Sequence, residues 1–325
     1  MAPHSASVPA AVSATSAPPP PRDSARSDAD AMQRKLLHIA DESPRLVGLH
    51  DKAGWLDLFS EAVVEDPVGP AKHKGRAALS RFWDALIAPF RISFHVLSDV
   101  VDERNRRVVR VVDIHVAFPE LGGRRAMVQP AHLLYELDPD RGKVRLMQAH
   151  WEAHRVRPAS RTLLGALGDL LLYSLAMRHT LVYLGLGFLA RFAYWLVASQ
   201  LTGGKALARR LIALAAADRA ADFADAFKVG SSSSSSSSSS EVVLTSASTS
   251  PCSARAFVES WKGTSAVDVR AVFSAGDQVT VWYARTVASE GPARVVEGAW
   301  VLQIQPGGWF SAARARHLYV AEKGE

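Results

Sequence analysis

Apolar residues recur along this chain with two different periods. From Met32 to Leu58 the spacing is helical: Leu36, Leu37 and Ile39 form one patch, and Trp55, Leu56, Leu58 and Phe59 form another. Ser43-Pro44 lies between them, so the pattern predicts two short helices. The period then shortens to two. Strands are expected over Ile92 to Val101, Val108 to Phe118, Ala126 to Leu137 and Lys143 to His154, separated by turn-forming residues at 102–105, Gly122-Gly123 and 138–140. Helices followed by a four-strand meander define an α+β domain over about 32–157.

The most apolar part of the chain comes next. Leu163 to Ala176 and Leu181 to Ala198 are nearly all hydrophobic, interrupted by Asp169, Arg178-His179 and Arg191. The first run is too short to span a bilayer, and the second carries an arginine near its centre. Basic residues flank both ends, Arg155, Arg157 and Arg161 before and Lys205, Arg209 and Arg210 after. Residues 158–203 therefore read either as a helical hairpin that is re-entrant or lies on a membrane surface through 163–200, or as a buried helical pair packed against the two domains. If both helices form, Asp169 and Arg191 come to similar depth and can neutralise each other.

Lys205 to Phe227 has the pattern of one alanine-rich amphipathic helix, and ten serines, 231–240, form a low-complexity insert. From about 204 to 325 the chain repeats the first domain weakly. Ala254 to Trp261 parallels Ala77 to Trp83, and Val295 to Leu302 parallels Met127 to Leu134, which sets Trp300 against His132. Val267 to Phe273, Val279 to Val287 and Trp309 to Val320 supply further strands. The first 31 residues are Ala, Ser and Pro without periodicity and read as a disordered tail with no cleaved leader.

Composition narrows the function classes. The excess of 38 Lys and Arg over 32 Asp and Glu makes the chain basic, but no nucleic-acid motif accompanies the charge and no nucleic-acid partner is expected. A lone Cys252 excludes a disulfide framework and suits the cytoplasm. Gly203-Gly204-Lys205 lacks the spacing of a phosphate loop, and no cofactor is implied. His95, His115 and His150 sit on strands without metal-ligand spacing; the pair Glu152 and His154 beside His150 is too sparse for a metal site.

The candidate chemistry is concentrated in Glu65-Asp66-Pro67-Val68-Gly69, which follows the apolar run Ala62-Val63-Val64. Proline ends the run, so Asp66 is presented at a strand end. An acid in that place is either a turn former or a group offered to a ligand, and the residues alone leave both readings open.

In order along the domain, Leu58-Phe59, Val64 to Gly69, Gly75 to Phe82, Val128 to His132 and Lys143 to Trp151 resemble ketosteroid isomerase and its relatives in the NTF2-like/SnoaL-like superfamily. The specific part is Glu-Asp-Pro-Val-Gly followed by a helix with Gly75, Leu79 and Phe82. The resemblance covers about one third of the chain. It implies a cone of helices on a curved, mostly antiparallel sheet, and the weak repeat extends this to two NTF2-like cones joined by the apolar hairpin, paired sheet to sheet within the chain or between two copies. The second copy has no acid matching Asp66 and is expected to be structural.

For the site, the resemblance implies that Asp66 is a base that moves a proton between carbons of an apolar, sterol-like or other polycyclic ligand, beside donors that hold an enolate oxygen. Phe82, Met147, Ala149 and Trp151 stand at wall positions, and His132 stands where the family places a protonated aspartic acid, so its N–H would donate. The alternative for His132 is a satisfied, semi-buried histidine. The family's tyrosine on the first helix has no counterpart; the first domain's lone tyrosine, Tyr135, falls on the strand face opposite His132. The function classes that follow are a proton-transfer isomerase, a non-catalytic lipid-binding or scaffold protein, and a cyclase or hydrolase on the same fold.

Overall fold

The computed structural model describes residues 22–59, 61–66, 69–103, 105–118, 124–151, 155–158, 162–169, 171, 203–226, 244–246, 249–252, 254–275, 278–289, 292–305 and 314–322. The serine run and most of the apolar stretch expected to form a hairpin, Arg191 included, lie outside these residues, as do Glu152 and His154.

The period-two stretches build a seven-stranded sheet from β1 (Val63–Asp66), β2 (Gly69–Lys74), β3 (Arg91–Asp102), β4 (Arg107–Phe118), β5 (Arg124–Asp138), β6 (Lys143–Trp151) and β7 (Arg157–Pro158). Their order is β2-β1-β6-β5-β4-β3, with β7 against β5. All pairs are antiparallel except β1 with β6. Three helices, α1 (Arg22–Gly48), α2 (Lys52–Leu58) and α3 (Arg76–Leu86), cover one face of this sheet. The entry into α3 needs Gly75, whose φ of 81° lies in the region that favours glycine. That turn brings Leu79, Phe82 and Trp83 down onto the core.

Two expectations about the first helices are corrected. α1 is a single helix that starts at Arg22 and runs through Pro44, so 22–31 is helical and Ser43-Pro44 is no break. Interior proline ordinarily costs about 3 kcal/mol. Here Leu36, Ile39, Ala40, Leu46 and Val47, on both sides of the proline, are buried in one core, and this packing outweighs local propensity.

The second region contains α4 (Gly204–Ala216), α5 (Ala220–Asp225), β8 (Leu244–Ser246), β9 (Thr249–Cys252), α6 (Ala254–Glu259), β10 (Thr264–Ala275), β11 (Gln278–Val287), β12 (Arg294–Gln305) and β13 (Arg314–Glu322). The single helix expected from Lys205 to Phe227 is thus two helices, broken where Asp218 takes a φ of 55°. The sheet order β10-β11-β12-β13-β8-β9, read from β9, repeats that of the first sheet read from β2. Its lone parallel pair, β8 with β13, corresponds to β1 with β6. β8 ends at Ser246, with no acid where β1 carries Asp66.

The two sheets lie face to face. β6 meets β10 and β3 meets β13, so each contact is the other with the roles of the two sheets exchanged, as an internal two-fold relation requires. Val100, Val109, Leu134, Ala299 and Val301 form the apolar seam. Ser98 Oγ donates across it to Glu297 at 3.3 Å.

Candidate functional site

The helix-covered face of the first sheet encloses a cavity of about 160 Å³. Helices supply Val47, Trp55, Phe82 and Leu86, β3 and β4 supply Ile92, Phe94, Ile114 and Val116, and β5 and β6 supply Met127, Leu133, Met147, Ala149 and Trp151. Four polar side chains interrupt this apolar wall: Ser43, Asp66, Gln129 and Tyr135. Exposure grades along the cavity. Ser43, Val47 and Tyr135 are buried at one end, whereas Ile92, Phe94, Ile114 and Gln129 are half-buried at the other, which is therefore the mouth.

Asp66 is the only carboxylate in the wall among the described residues. Alternation along β1 places it with the buried Val64 on the cavity face and turns Glu65 outward. Glu65 accepts from Gln148 Nε2 at 2.8 Å and pairs with Lys72 at 3.0 Å. The β1–β2 register shifts between Glu65 and Asp66. Such bulges bend a strand end and re-aim its last side chain. Of the wall residues inferred from the sequence, Phe82, Met147, Ala149 and Trp151 all line this cavity together with Asp66.

His132 does not. It lies on the opposite face of β5, fully buried in the seam, with Nδ1 2.9 Å from Thr280 Oγ1 and its ring edge-on to Phe273 at 4.4 Å between centroids. It stands cross-strand from His150, which is also buried. Burial, then the neighbouring His150 and Arg155, hold the His132 imidazole well below its ordinary range, and burial lowers His150 to about 4. The cause of the misplacement is one residue. Pairing runs from Leu137↔Val144 to Glu136↔Leu146, leaving Arg145 as a bulge. Without that bulge Ala149 would face His132; with it, Ala149 pairs with Leu133 and Met147 with Tyr135.

The same shift brings Tyr135 into the cavity, a residue that motif matching passed over. The missing signal was the bulge; once Met147 is inward, its cross-strand partner is inward too. Tyr135 hydrogen-bonds Ser43, and burial pushes its phenol up to about 12, so it keeps its proton at physiological pH. On the neighbouring strand β4, cross-strand from Leu133, Arg110 is buried. Its guanidinium grips Asp99 at 2.7 and 2.8 Å and Asp41 at 2.6 Å. Burial disfavours that charge, but the two carboxylates more than offset the effect and raise its pKa. Among the described residues no cluster of three or more His, Cys, Asp or Glu could hold a metal.

The SnoaL-like domain family matches residues 42–147, which include α2, α3, the motif around Asp66, β3 to β5 and the first part of β6. The chain carries a SnoaL-like, NTF2-like domain there. Among solved structures, RV0760c from Mycobacterium tuberculosis is similar at 24% identity, with 38% of this chain and 94% of that one covered and a TM-score of 0.33. Δ5-3-ketosteroid isomerase from Mycobacterium sp. is similar at 25% identity, with 38% and 96% covered and a TM-score of 0.33. SalBIII, an epoxide hydrolase/cyclase-like enzyme of pyran ring formation in salinomycin, shares 21% identity over 38% and 95%, with a TM-score of 0.34. No curated protein matches the chain.

Proposed function

We propose that the first domain binds an apolar ketone and moves a proton between two of its carbons, with Asp66 as the base and Tyr135, braced by Ser43, as donor to the carbonyl oxygen. The observation that carries this is a carboxylate, the only one in the wall among the described residues, placed in a mostly apolar cavity with a protonated phenol in the same chamber. A carboxylate removed from water is a stronger base toward a carbon-bound proton, and a neutral phenol can stabilise the enolate that results. The cavity is smaller than the roughly 300–1,000 Å³ typical of drug-sized ligands and close to the ~150 Å³ that admits a single aromatic ring. One ring of a polycyclic ligand therefore sits at the buried end, and the rest extends along the wall toward the mouth.

The test is turnover of a β,γ-unsaturated ketone alongside binding of its conjugated product. Asp66→Asn abolishes turnover and leaves binding within a few-fold. Tyr135→Phe lowers turnover by about 10²- to 10³-fold, the usual loss of one oxyanion donor. Binding without turnover in the parent protein assigns the domain to carrier or scaffold duty instead, and solvent oxygen in the product assigns it to hydrolase or cyclase chemistry.

The reading includes contact with an anionic bilayer surface. Leu163, Leu164, Leu167 and Leu171 are all more than half exposed, and Arg157, Arg209 and Arg210, which flank the apolar stretch in sequence, are exposed too. Among the described residues no helix is long and apolar enough to cross a membrane. Co-sedimentation with phosphatidylserine vesicles, with and without residues 163–200, checks it: loss of the bound fraction is expected only on deletion.

A further inference from the structure

Gln129 lies in the cavity wall in a place where an apolar residue would cost nothing. It is on the inward face of β5, cross-strand from Ile114, with Phe94, Val116 and Met127 also in the wall around the mouth. Its side chain makes no hydrogen bond to any described residue. At the half-buried mouth that amide is still reached by water, and a ligand that covers it must replace those hydrogen bonds. An amide can also both donate and accept, which suits a hydroxyl as well as a carbonyl.

The spacing along β5 says what kind of molecule would use it. Gln129 and Tyr135 are six residues apart on one strand face, about 20 Å at ~3.3 Å per residue, less the reach of both side chains. Asp66 falls nearer the Tyr135 end: β1 runs parallel to β6 with Val64 beside Met147, the partner of Tyr135. The chamber thus has its reactive groups at the buried end, an apolar middle, and one hydrogen-bonding group at the mouth.

We infer that Gln129 is a specificity-determining residue that binds a second oxygen function, hydroxyl or ketone, at the far end of an elongated, rigid apolar ketone whose reacting carbonyl lies at Tyr135. This rests on the ligand reading above. Gln129 touches no reacting atom, so it sorts ligands by affinity and leaves the chemical step alone.

The experiment uses two matched probes on the full chain, androst-4-en-3-one and its 17β-hydroxy derivative, with affinities read from quenching of tryptophan fluorescence. The parent protein is expected to bind the hydroxylated probe about 10-fold more tightly, the range of one hydrogen bond at a half-buried site. Gln129→Leu should remove that preference while binding of the deoxy probe stays within two-fold or improves. Equal affinities for both probes in the parent overturn the inference about Gln129 and leave the ligand reading intact, whereas binding of neither probe overturns the ligand reading itself. The parent comparison needs no variant, and Gln129→Met supplies an unbranched replacement if the leucine variant does not fold. A preference that survives both substitutions also overturns the inference.

Discussion

Two sheets of the same strand order have different interiors in this protein. On the first, the inward residues of β5 and β6 include Met127, Gln129, Leu133, Tyr135, Met147, Ala149 and Trp151, and a void remains between them and the helices. On the second, Trp261, Tyr283 and Trp300 meet with ring centroids 5.2 to 6.1 Å apart, and Phe223 and Phe257 pack against Trp300. All five rings are at most 2% exposed. The polar groups differ in the same sense. Asp66 lines the cavity, whereas Glu322 is held by Arg285 Nε and Nη2, each at 2.8 Å, and by the Tyr283 hydroxyl at 2.7 Å. The difference teaches that strand order alone says nothing about a site: what matters is whether bulky rings fill the space under the sheet. Filling yields packing energy, and leaving it empty gives up that energy for a place to bind.

The largest expected effect tests the filled side. Trp300→Ala should cost about 3–5 kcal/mol in a urea unfolding curve, because it opens a cavity in a close-packed aromatic cluster. Met147→Ala, beside a void that already exists, should cost less than about 2 kcal/mol, below the usual range for such a truncation. Equal losses would erase the contrast between the two interiors.

The seam that joins the two regions gives the next effect. His132 and His150 are buried there as neutral rings, with Thr280 and Phe273 packed on His132 and the Arg155 charge nearby. In the unfolded chain both titrate near 6.5, whereas in the fold both lie lower, His150 at about 4. Below 6.5 the unfolded state therefore binds more protons, so stability is complete above that pH and falls as the pH drops toward 4. His150 alone accounts for a loss on the order of 3 kcal/mol across that window. Unfolding free energy measured against pH should show this slope, and His150→Gln should flatten it. A slope unchanged in that variant would place the sensitivity elsewhere.

The smallest effect on stability sharpens the comparison most directly. Ala149→Phe places a ring in the hollow cone in imitation of its neighbour. Stability should change by no more than about 1 kcal/mol, since the added ring enters existing space. Ligand binding, read by tryptophan fluorescence, should disappear. Persistence of binding would mean that the ligand sits outside this chamber.

Much of this was legible along the chain. Alternation outlined β3 to β6 to within a few residues, and the motif around Asp66 marked the one acid that reaches the cavity, because a strand end before proline is a local property. Helix boundaries were read less well: Pro44 and Asp218 have local preferences that packing overrode in the first case and used in the second. His132 and Tyr135 exchanged roles for a reason no local pattern carries. Matching His132 to Trp300 failed in the same way, since Trp300 faces its own core while His132 faces the seam.

The amino-acid order by itself determined which segments extend, which coil, and where a carboxylate would emerge, since each depends on neighbours a few residues away. Only the tertiary structure decided which face of β5 looks inward, because that hangs on a single bulged residue, Arg145, in the pairing with β6. It also decided that one interior keeps a cavity while aromatic rings meet in the other, because volume is a property of side chains brought together from distant parts of the chain.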